Sequence, residues 1–212
     1  MEFIAAIAHF FQSGGFWMYP IAVLLLLGLV ISIERFLFLR RSNQENRALW
    51  SRMVPLMTAG KHAEAEKLAR ESDAAIGRVM SYGFAHSRDN KNRAEVEMAV
   101  EESLMEVTSL LEKRTHYLAV FANVATLLGL LGTITGLIRA FAAIASLNLS
   151  EKTDLLAASI AEALNCTAFG LFTAIPLLLI HAWLTTRTGD LVDSLEMASV
   201  KFLNSLKLNV SA

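Results

Sequence analysis

Three polar residues follow one another along an apolar stretch of the chain, residues 117–147, and their chemistry suits the hydration of an ion. Asn123 lies three residues before Thr126, and Thr133 lies seven residues after it, so the three share one face of a helix. A single threonine in a membrane helix commonly satisfies its hydroxyl on a carbonyl of the preceding turn. An aligned row of such groups can also wet a cavity, so both interpretations stay open.

A second apolar stretch, residues 155–184, carries Glu162 and Thr167. A carboxylate within a membrane helix costs a few kcal/mol, so we expect Glu162 to face protein or water and to have a partner. Because only the polar segment NLSEKTD joins the two stretches, they should form antiparallel neighbours. Equal depth then pairs Thr133 with Thr167 in a polar ring and Glu162 with Arg139 in an ion pair, which would serve either structure or ion entry.

Small residues on the first of these stretches predict helix packing. Gly129, Gly132 and Gly136 fall at i, i+3 and i+7 and make one smooth stripe, which lets a neighbouring helix approach closely. Pro176 in the other stretch removes a backbone donor and could kink that helix.

The composition indicates a membrane protein. Hydrophobic residues make up 54% of the 212 residues and charged residues 18%, and the mean hydropathy is +0.45. The first apolar run, 20–39, has Pro20 in its first turn, with Trp17 and Tyr19 just before it as an interface belt. Glu34 and Arg35 near its end can reach the interface by snorkelling. The lone Cys166 excludes an intramolecular disulfide.

The charge pattern and the motifs exclude several classes of function. The net charge is −1 and no Lys/Arg block marks a nucleic-acid site. No nucleophile with a base, metal-ligand cluster or phosphate loop is recognisable, so we predict no enzyme activity, no metal and no cofactor.

The distribution of basic residues predicts the orientation. Residues 40–116 hold thirteen of the nineteen Lys and Arg residues, whereas the link holds only Lys152. By the positive-inside rule, the large segment and the C-terminus are cytoplasmic, and the N-terminus and the link are periplasmic. The N-terminus lacks the basic start of a signal peptide, so we expect it to be retained.

Helical periodicity extends beyond the apolar runs. No Gly or Pro interrupts the chain from Gly83 to Gly129, which predicts one continuous helix over about 94–145. The third span is expected to continue as a helix with one apolar face, made of Leu191, Leu195, Ala198 and Phe202. The stretch GKHAEAEKLARES reads as a further amphipathic helix and SRDNKN as a turn.

These patterns predict an all-α membrane protein with three transmembrane helices, two of them long and extending into a cytoplasmic helical domain. The predicted segments are a periplasmic-side amphipathic helix 1–16, transmembrane helix 1 at 17–39, a cytoplasmic helical segment 40–116, transmembrane helix 2 with its outer end at 117–147, a periplasmic link 148–154, transmembrane helix 3 at 155–184 and a cytoplasmic C-terminal helix 185–212. The first of them rests on Phe3, Ile4, Ile7, Phe10 and Phe11 at helical spacing.

Two motifs carry a resemblance to a known family. LLGLLGTITGLIRAF, followed by IAEALNCTAFGLFTAIP, resembles the paired motifs of the MotA/TolQ/ExbB proton channel family, and IERF matches the inner end of its first span. With three spans in 212 residues the chain is similar to the ExbB/TolQ branch rather than to the four-span flagellar stators.

The resemblance implies a pore-forming subunit of a motor driven by the proton-motive force in the bacterial inner membrane. It implies a homo-pentamer around a dimeric ExbD/TolR-like partner whose single span carries an aspartate, with a TonB/TolA-like protein beyond it. Thr133, Thr167 and Glu162 would then border the proton path, with Thr126 and Asn123 in the same polar row. The alternative is a structural membrane scaffold in which the glycine stripe and Glu162 serve only assembly.

Overall fold

The computed structural model describes residues 14–89, 92–144 and 149–206, which form six α-helices. Three helical stretches, Met18–Thr58, Arg93–Ala142 and Lys152–Ser205, are long and apolar enough to cross a membrane. The predicted all-α fold with three membrane-spanning helices is therefore confirmed. The helices are α1 (Met18–Thr58), α2 (His62–Arg70), α3 (Ala75–Asp89), α4 (Arg93–Glu112), α5 (His116–Ile144) and α6 (Leu149–Ser205).

Helix α1 is longer than the first apolar run. Pro20 lies in its first turn, where the missing N–H has no intrahelical acceptor to lose, and the helix passes 39 without a break and continues beyond Pro55. The predicted amphipathic helix at 1–16, with Phe3, Ile4, Ile7, Phe10 and Phe11, lies largely outside the described residues.

The prediction of one helix over 94–145 is wrong. Helix α4 ends at Glu112 and α5 begins at His116, and Arg114 between them has a φ of 68°. The cause is a tertiary contact: Arg35 Nη2 donates a hydrogen bond to the Leu111 carbonyl, a group that would otherwise accept within a continuous helix. Arg35 is only 3% exposed, so the expectation that it snorkels is also wrong.

Helix α6 begins earlier than predicted. The structure places residues from Leu149 onward in the helix, so most of the predicted link at 148–154 is helical, and the helix continues through Pro176 to Ser205. Its final part buries the predicted face, since Leu191, Leu195, Ala198 and Phe202 are each at most 3% exposed.

The chain divides into two compact units. The membrane unit combines residues up to Ile33 with Arg114–Trp183. Its core contains Met18 and Ile21 of α1, Ala125 of α5, and Cys166 and Phe169 of α6. Burial of these side chains between three helices supplies the dispersion contacts that associate helices in lipid, where no hydrophobic driving force acts.

The polar unit combines Glu34–Lys113 with residues from Leu184 onward. Phe84 of α3 and Phe202 of α6 meet edge to face with ring centroids 4.7 Å apart. The backbone N–H of Ile76 donates to Asn46 Oδ1 over 3.0 Å, so a side chain of α1 caps the first turn of α3. Helix α4 turns one apolar face inward, with Val96, Val100, Val107 and Leu111 buried and Leu104 partly so.

Candidate functional site

The glycine stripe of α5 packs directly on α6. An added Cβ would lie 3.2 Å from the Cα of Thr167 at Gly129 and 3.1 Å from the Cβ of Ala163 at Gly136, and at Gly132 it would collide with the Cys166 sulfur. The residue numbers rise along one helix as they fall along the other, so the two helices are antiparallel neighbours, as the short link predicts. The packing role assigned to the three glycines agrees with these contacts.

Gly170 of α6 packs against the glycine stripe of α5. A Cβ at Gly170 would lie 2.8 Å from the carbonyl oxygen of Ala125 and 3.2 Å from the Cα of Gly129. Two glycines thus face each other where the backbones approach most closely. The sequence reasoning left Gly170 out because it considered the stripe of α5 alone; the spacing of Gly170 within CTAFG was the available signal.

The threonine hydroxyls divide between two kinds of acceptor. Thr126 donates to the Ala122 carbonyl over 3.1 Å and Thr133 to the Leu130 carbonyl over 2.6 Å, both within α5. Thr167 instead donates across the helix pair to the carbonyl of Gly129, over 2.8 Å. Only Thr167 therefore joins the two helices through its hydroxyl.

The predicted polar row lies on a face of α5 that the described helices cover only in part. Asn123 and Thr126 are exposed and Thr133 is half-buried. Since Gly129 lies against Thr167, Thr133 is one helical turn from the Thr167 level, or about 6 Å along the axis. Their hydroxyls are thus near in depth without bonding to each other, so the structure does not show the predicted ring as a direct contact.

The ion pair that the antiparallel registration predicts is present. Arg139 Nη2 lies 2.8 Å from Glu162 Oε1, and the side chain of Glu162 is 32% exposed against 62% for Arg139. The carboxylate also lies against Gly15, where the chain enters α1: an added Cβ there would collide with Glu162 Oε1. Glu162 therefore contacts all three segments of the membrane unit.

A second contact ties the start of α1 to α5. Trp17 Nε1 donates to Thr135 Oγ1 over 3.0 Å, and Thr135 in turn donates to the Leu131 carbonyl over 2.9 Å. Sequence reasoning assigned Trp17 to an interface belt and gave Thr135 and Gly15 no role. The double glycine of SGGFW was the only local sign of a tight turn at this point.

We expect Gly15→Ala to displace the Glu162 carboxylate and weaken its pair with Arg139. Two effects add: Gly15 has a φ of 75°, which an L side chain rarely adopts, and its missing Cβ makes the room that the carboxylate occupies. We predict a loss of about 2–5 kcal/mol, combining left-handed strain of about 1–2 kcal/mol with overpacking of about 1–3 kcal/mol, measured as thermal stability in detergent.

Gly60→Ala is the matched control for Gly15→Ala. Gly60 has a φ of 73° and nothing within 4 Å of an added Cβ, so it carries the strain without the collision. Equal losses for the two variants would show that the carboxylate contact contributes nothing.

The two packed helices and their motifs lie in a region with known relatives. Residues 71–197 match the MotA/TolQ/ExbB proton channel family. The chain belongs to this family. The match includes the glycine stripe, the Arg139–Glu162 pair and the Thr167 contact, so the resemblance stated from the motifs is confirmed.

Individual relatives support the same branch of the MotA/TolQ/ExbB family. The chain is 27% identical to an ExbB homolog of Methanothermobacter thermautotrophicus over 93% of its own length and 69% of the relative. It is 28% identical to an ExbB-like biopolymer transport protein of Synechocystis over 79% and 80% of the two lengths. It is 39% identical to TolQ of the Tol-Pal system of Haemophilus influenzae, over 37% of this chain and 34% of TolQ.

Family membership and the three apolar helices make the chain an integral protein of the inner membrane. They also make it a subunit of the transport and envelope motors of the MotA/TolQ/ExbB family.

Proposed function

We propose that the chain is a pore-forming subunit that conducts protons together with a separate partner and so powers outer-membrane transport or an envelope process. The observation that supports this best is the polar face of α5, where the described residues leave Asn123 and Thr126 exposed and Thr133 half-buried. Polar side chains that face lipid are energetically unfavourable. In an assembly of several copies, this face would instead turn towards a central axis.

The chain also requires a partner that supplies the proton-carrying acid. The carboxylate in the membrane part of α6, Glu162, is already engaged in an ion pair, with its Oε1 2.8 Å from Arg139 Nη2. A partner of the ExbD/TolR type, with one span and an intramembrane aspartate, would supply a group that protonates and releases. Each charge that crosses 100 mV releases about 2.3 kcal/mol, which is the energy available for work.

The proposed assembly is a homo-pentamer around a dimer of that partner, with a TonB/TolA-like protein as recipient of the work. The N-terminus would be periplasmic and the C-terminus cytoplasmic, since the polar unit carries most of the basic residues. Few oxygen ligands lie in the spans, which favours protons over sodium.

The test replaces hydroxyls by methyl groups of the same shape. We expect Thr133→Val and Thr167→Val, each co-expressed with the single-span partner, to lower proton flux into vesicles about ten-fold to hundred-fold. The reason is that a hydrogen bond to a charged group contributes about 1.5–3 kcal/mol. Flux is measured with a pH-sensitive dye at fixed potential.

Thr173→Val is the matched control for this test. The hydroxyl of Thr173 is fully buried in α6 and has no hydrogen-bond partner among the described residues, so its removal should leave flux unchanged and stability equal or higher.

The alternative is a scaffold without its own ion path. It is favoured by the hydrogen bonds of Thr126 and Thr133 to carbonyls of their own helix, which leave no donor over for a water column. Unchanged flux in Thr133→Val and Thr167→Val, with intact assembly, would establish the scaffold and overturn the conduction proposal.

A further inference from the structure

Two helix faces of the polar unit carry opposite charge and are exposed in the described residues. On α1, Arg40 and Arg47 lie seven residues apart on one exposed face. On α4, Glu101 and Glu102 lie on an exposed face between two methionines, Met98 and Met105. We call the first pair the arginine face and the second group the glutamate face.

The charged groups of the two faces have no hydrogen-bond or ion-pair partner in the part of the chain that the structure describes. The neighbouring Arg41 differs, because its Nε lies 2.6 Å from Glu45 Oε1, and this contact raises the pKa of Arg41. The unpaired state of the two faces is therefore not a general property of α1.

The glutamate face has unfavourable features in isolation. Glu97 and Glu101 are four residues apart, as are Glu102 and Glu106, and like charges at that spacing destabilise a helix. Met98 and Met105 are 68% and 69% exposed, although methionine is an adaptable apolar side chain that is enriched at protein interfaces. A cationic partner surface would relieve the repulsion and cover both methionines.

The two faces lie at the same height along the polar unit. Arg35 on α1 bonds the carbonyl of Leu111 on α4, which fixes one end of the register. At the other end, the start of α4 and the last part of α1 both meet the end of α6: Arg93 bonds Asn204, and Met57 lies 3.9 Å from the hydroxyl of Ser205.

Distances along the helix axes from the Arg35–Leu111 contact compare the heights of the two faces. From that contact, Arg47 lies about 18 Å along α1, and Glu101 and Glu102 lie about 14–15 Å along α4. The remaining difference in height is within reach of the long side chains. Arg40 and Glu106 each lie about 7.5 Å from it.

A neighbouring copy related by rotation about an axis along the helices keeps its height. Its glutamate face can therefore meet the arginine face of the first copy at the same height. Each copy then makes this contact twice, once through each face. Such a head-to-tail contact closes into a ring when the rotation divides a full turn. Charge complementarity at equal height is what selects a second copy as the occupant of each face.

We propose that the glutamate face of α4 in one copy docks on the arginine face of α1 in the next copy, with Glu101 and Glu102 against Arg47 and Glu106 against Arg40.

Charge reversal tests the contact in the full-length protein, with assembly followed by light scattering and native mass spectrometry in a neutral detergent. We expect Arg47→Glu alone, and Glu101→Arg with Glu102→Arg, each to raise the concentration at which the assembly dissociates about ten-fold. The triple variant that carries all three changes should return to the wild-type value. The increase in dissociation concentration for Arg47→Glu alone, and for Glu101→Arg with Glu102→Arg, should become smaller at about 1 M salt, where the Debye length is about 3 Å.

Wild-type assembly of both reversed variants, or a triple variant no better than its parents, would overturn the proposal. The same holds if the Arg47→Glu defect appears only with anionic lipid present, because the arginine face would then bind lipid headgroups. Unchanged helicity and melting of the separated subunits shows that a defect is not one of folding, as expected for exposed positions.

Cross-linking gives an independent measurement of which faces meet. Two differently tagged copies, one with Arg47→Cys and one with Glu101→Cys, are co-expressed in a Cys166→Ala background and treated with a short bismaleimide. That reagent is needed because a disulfide spans only about 4.4–6.8 Å between Cα atoms. The mixed dimer should form in this pair.

The matched control pairs Arg47→Cys with Glu196→Cys, an exposed position near the same level on α6. Equal cross-linking in both pairs would contradict the assigned faces.

Discussion

Gly170→Ala is expected to separate α5 from α6 and to lower the stability of the membrane unit by about 1–3 kcal/mol, and Gly170→Val by more. A Cβ at this position lies 2.8 Å from the Ala125 carbonyl oxygen and 3.2 Å from the Cα of Gly129. Both atoms belong to the backbone, so no side-chain rotation can make room. The hydrogen bond from Thr167 to the Gly129 carbonyl lengthens as the helices part, and its loss adds about 0.6 kcal/mol.

Gly189→Ala on the same helix is the matched control for Gly170→Ala. An added Cβ at Gly189 meets nothing within 4 Å, so this change should be neutral or stabilise the helix by about 0.5–1 kcal/mol. Thermal unfolding in detergent measures both variants. If Gly170→Ala unfolds at the temperature of Gly189→Ala, the close approach of the two backbones carries no energetic weight.

The second large effect is expected for Arg35→Ala, with a loss of about 2–6 kcal/mol in the stability of the polar unit. Arg35 is 3% exposed, bonds the Leu111 carbonyl and stacks over Phe38 with 4.6 Å between the guanidinium carbon and the ring centre. Its removal leaves a cavity and an unsatisfied carbonyl at the end of α4, and each costs about 1–3 kcal/mol.

Arg35→Lys separates these contributions. Lysine keeps the charge but lacks the planar fork that can bond a carbonyl and stack on a ring together, so it should recover less than half of the loss. Arg52→Ala, at an exposed position of the same helix, is the control and should stay within about 0.5 kcal/mol of the wild type. Chemical denaturation followed by helicity measures all three, and a near-neutral Arg35→Ala would contradict the proposed cause of the helix break.

The contacts that depend on helical periodicity could be predicted from the sequence. The end of a helix could not be predicted where it depends on a side chain that is distant in sequence. The antiparallel register of α5 and α6, and with it the Arg139–Glu162 pair, followed from a short link and a helical rise common to all sequences. The end of α4 could not be predicted in this way. No glycine or proline marks Lys113–Thr115, where Arg114 adopts a left-handed conformation, and the nearby Leu111 carbonyl accepts from Arg35, which is distant in sequence.

The candidate site shows the same division. The glycine stripe and the polar row of α5 follow from spacing within one helix, whereas Gly15 and Trp17 acquire their contacts only when the start of α1 meets Glu162 and Thr135. Which of several polar groups faces a neighbouring segment depends on the rotation of each helix about its axis. A single sequence fixes that rotation only where small residues force it, as at Gly129 and Gly170.

The facing glycines also restrict how the membrane unit can move during work. Sliding α5 past α6 by one turn would bring Ala125 or Thr133 to the place of Gly129, and the Cβ atom of either residue would strike the backbone at Gly170. These contacts oppose sliding of α5 along α6 by one turn, so we expect the two helices to move together as one rigid body. Under the proposed function, mechanical output would then come from displacement between whole subunits, or between the subunits and their partner.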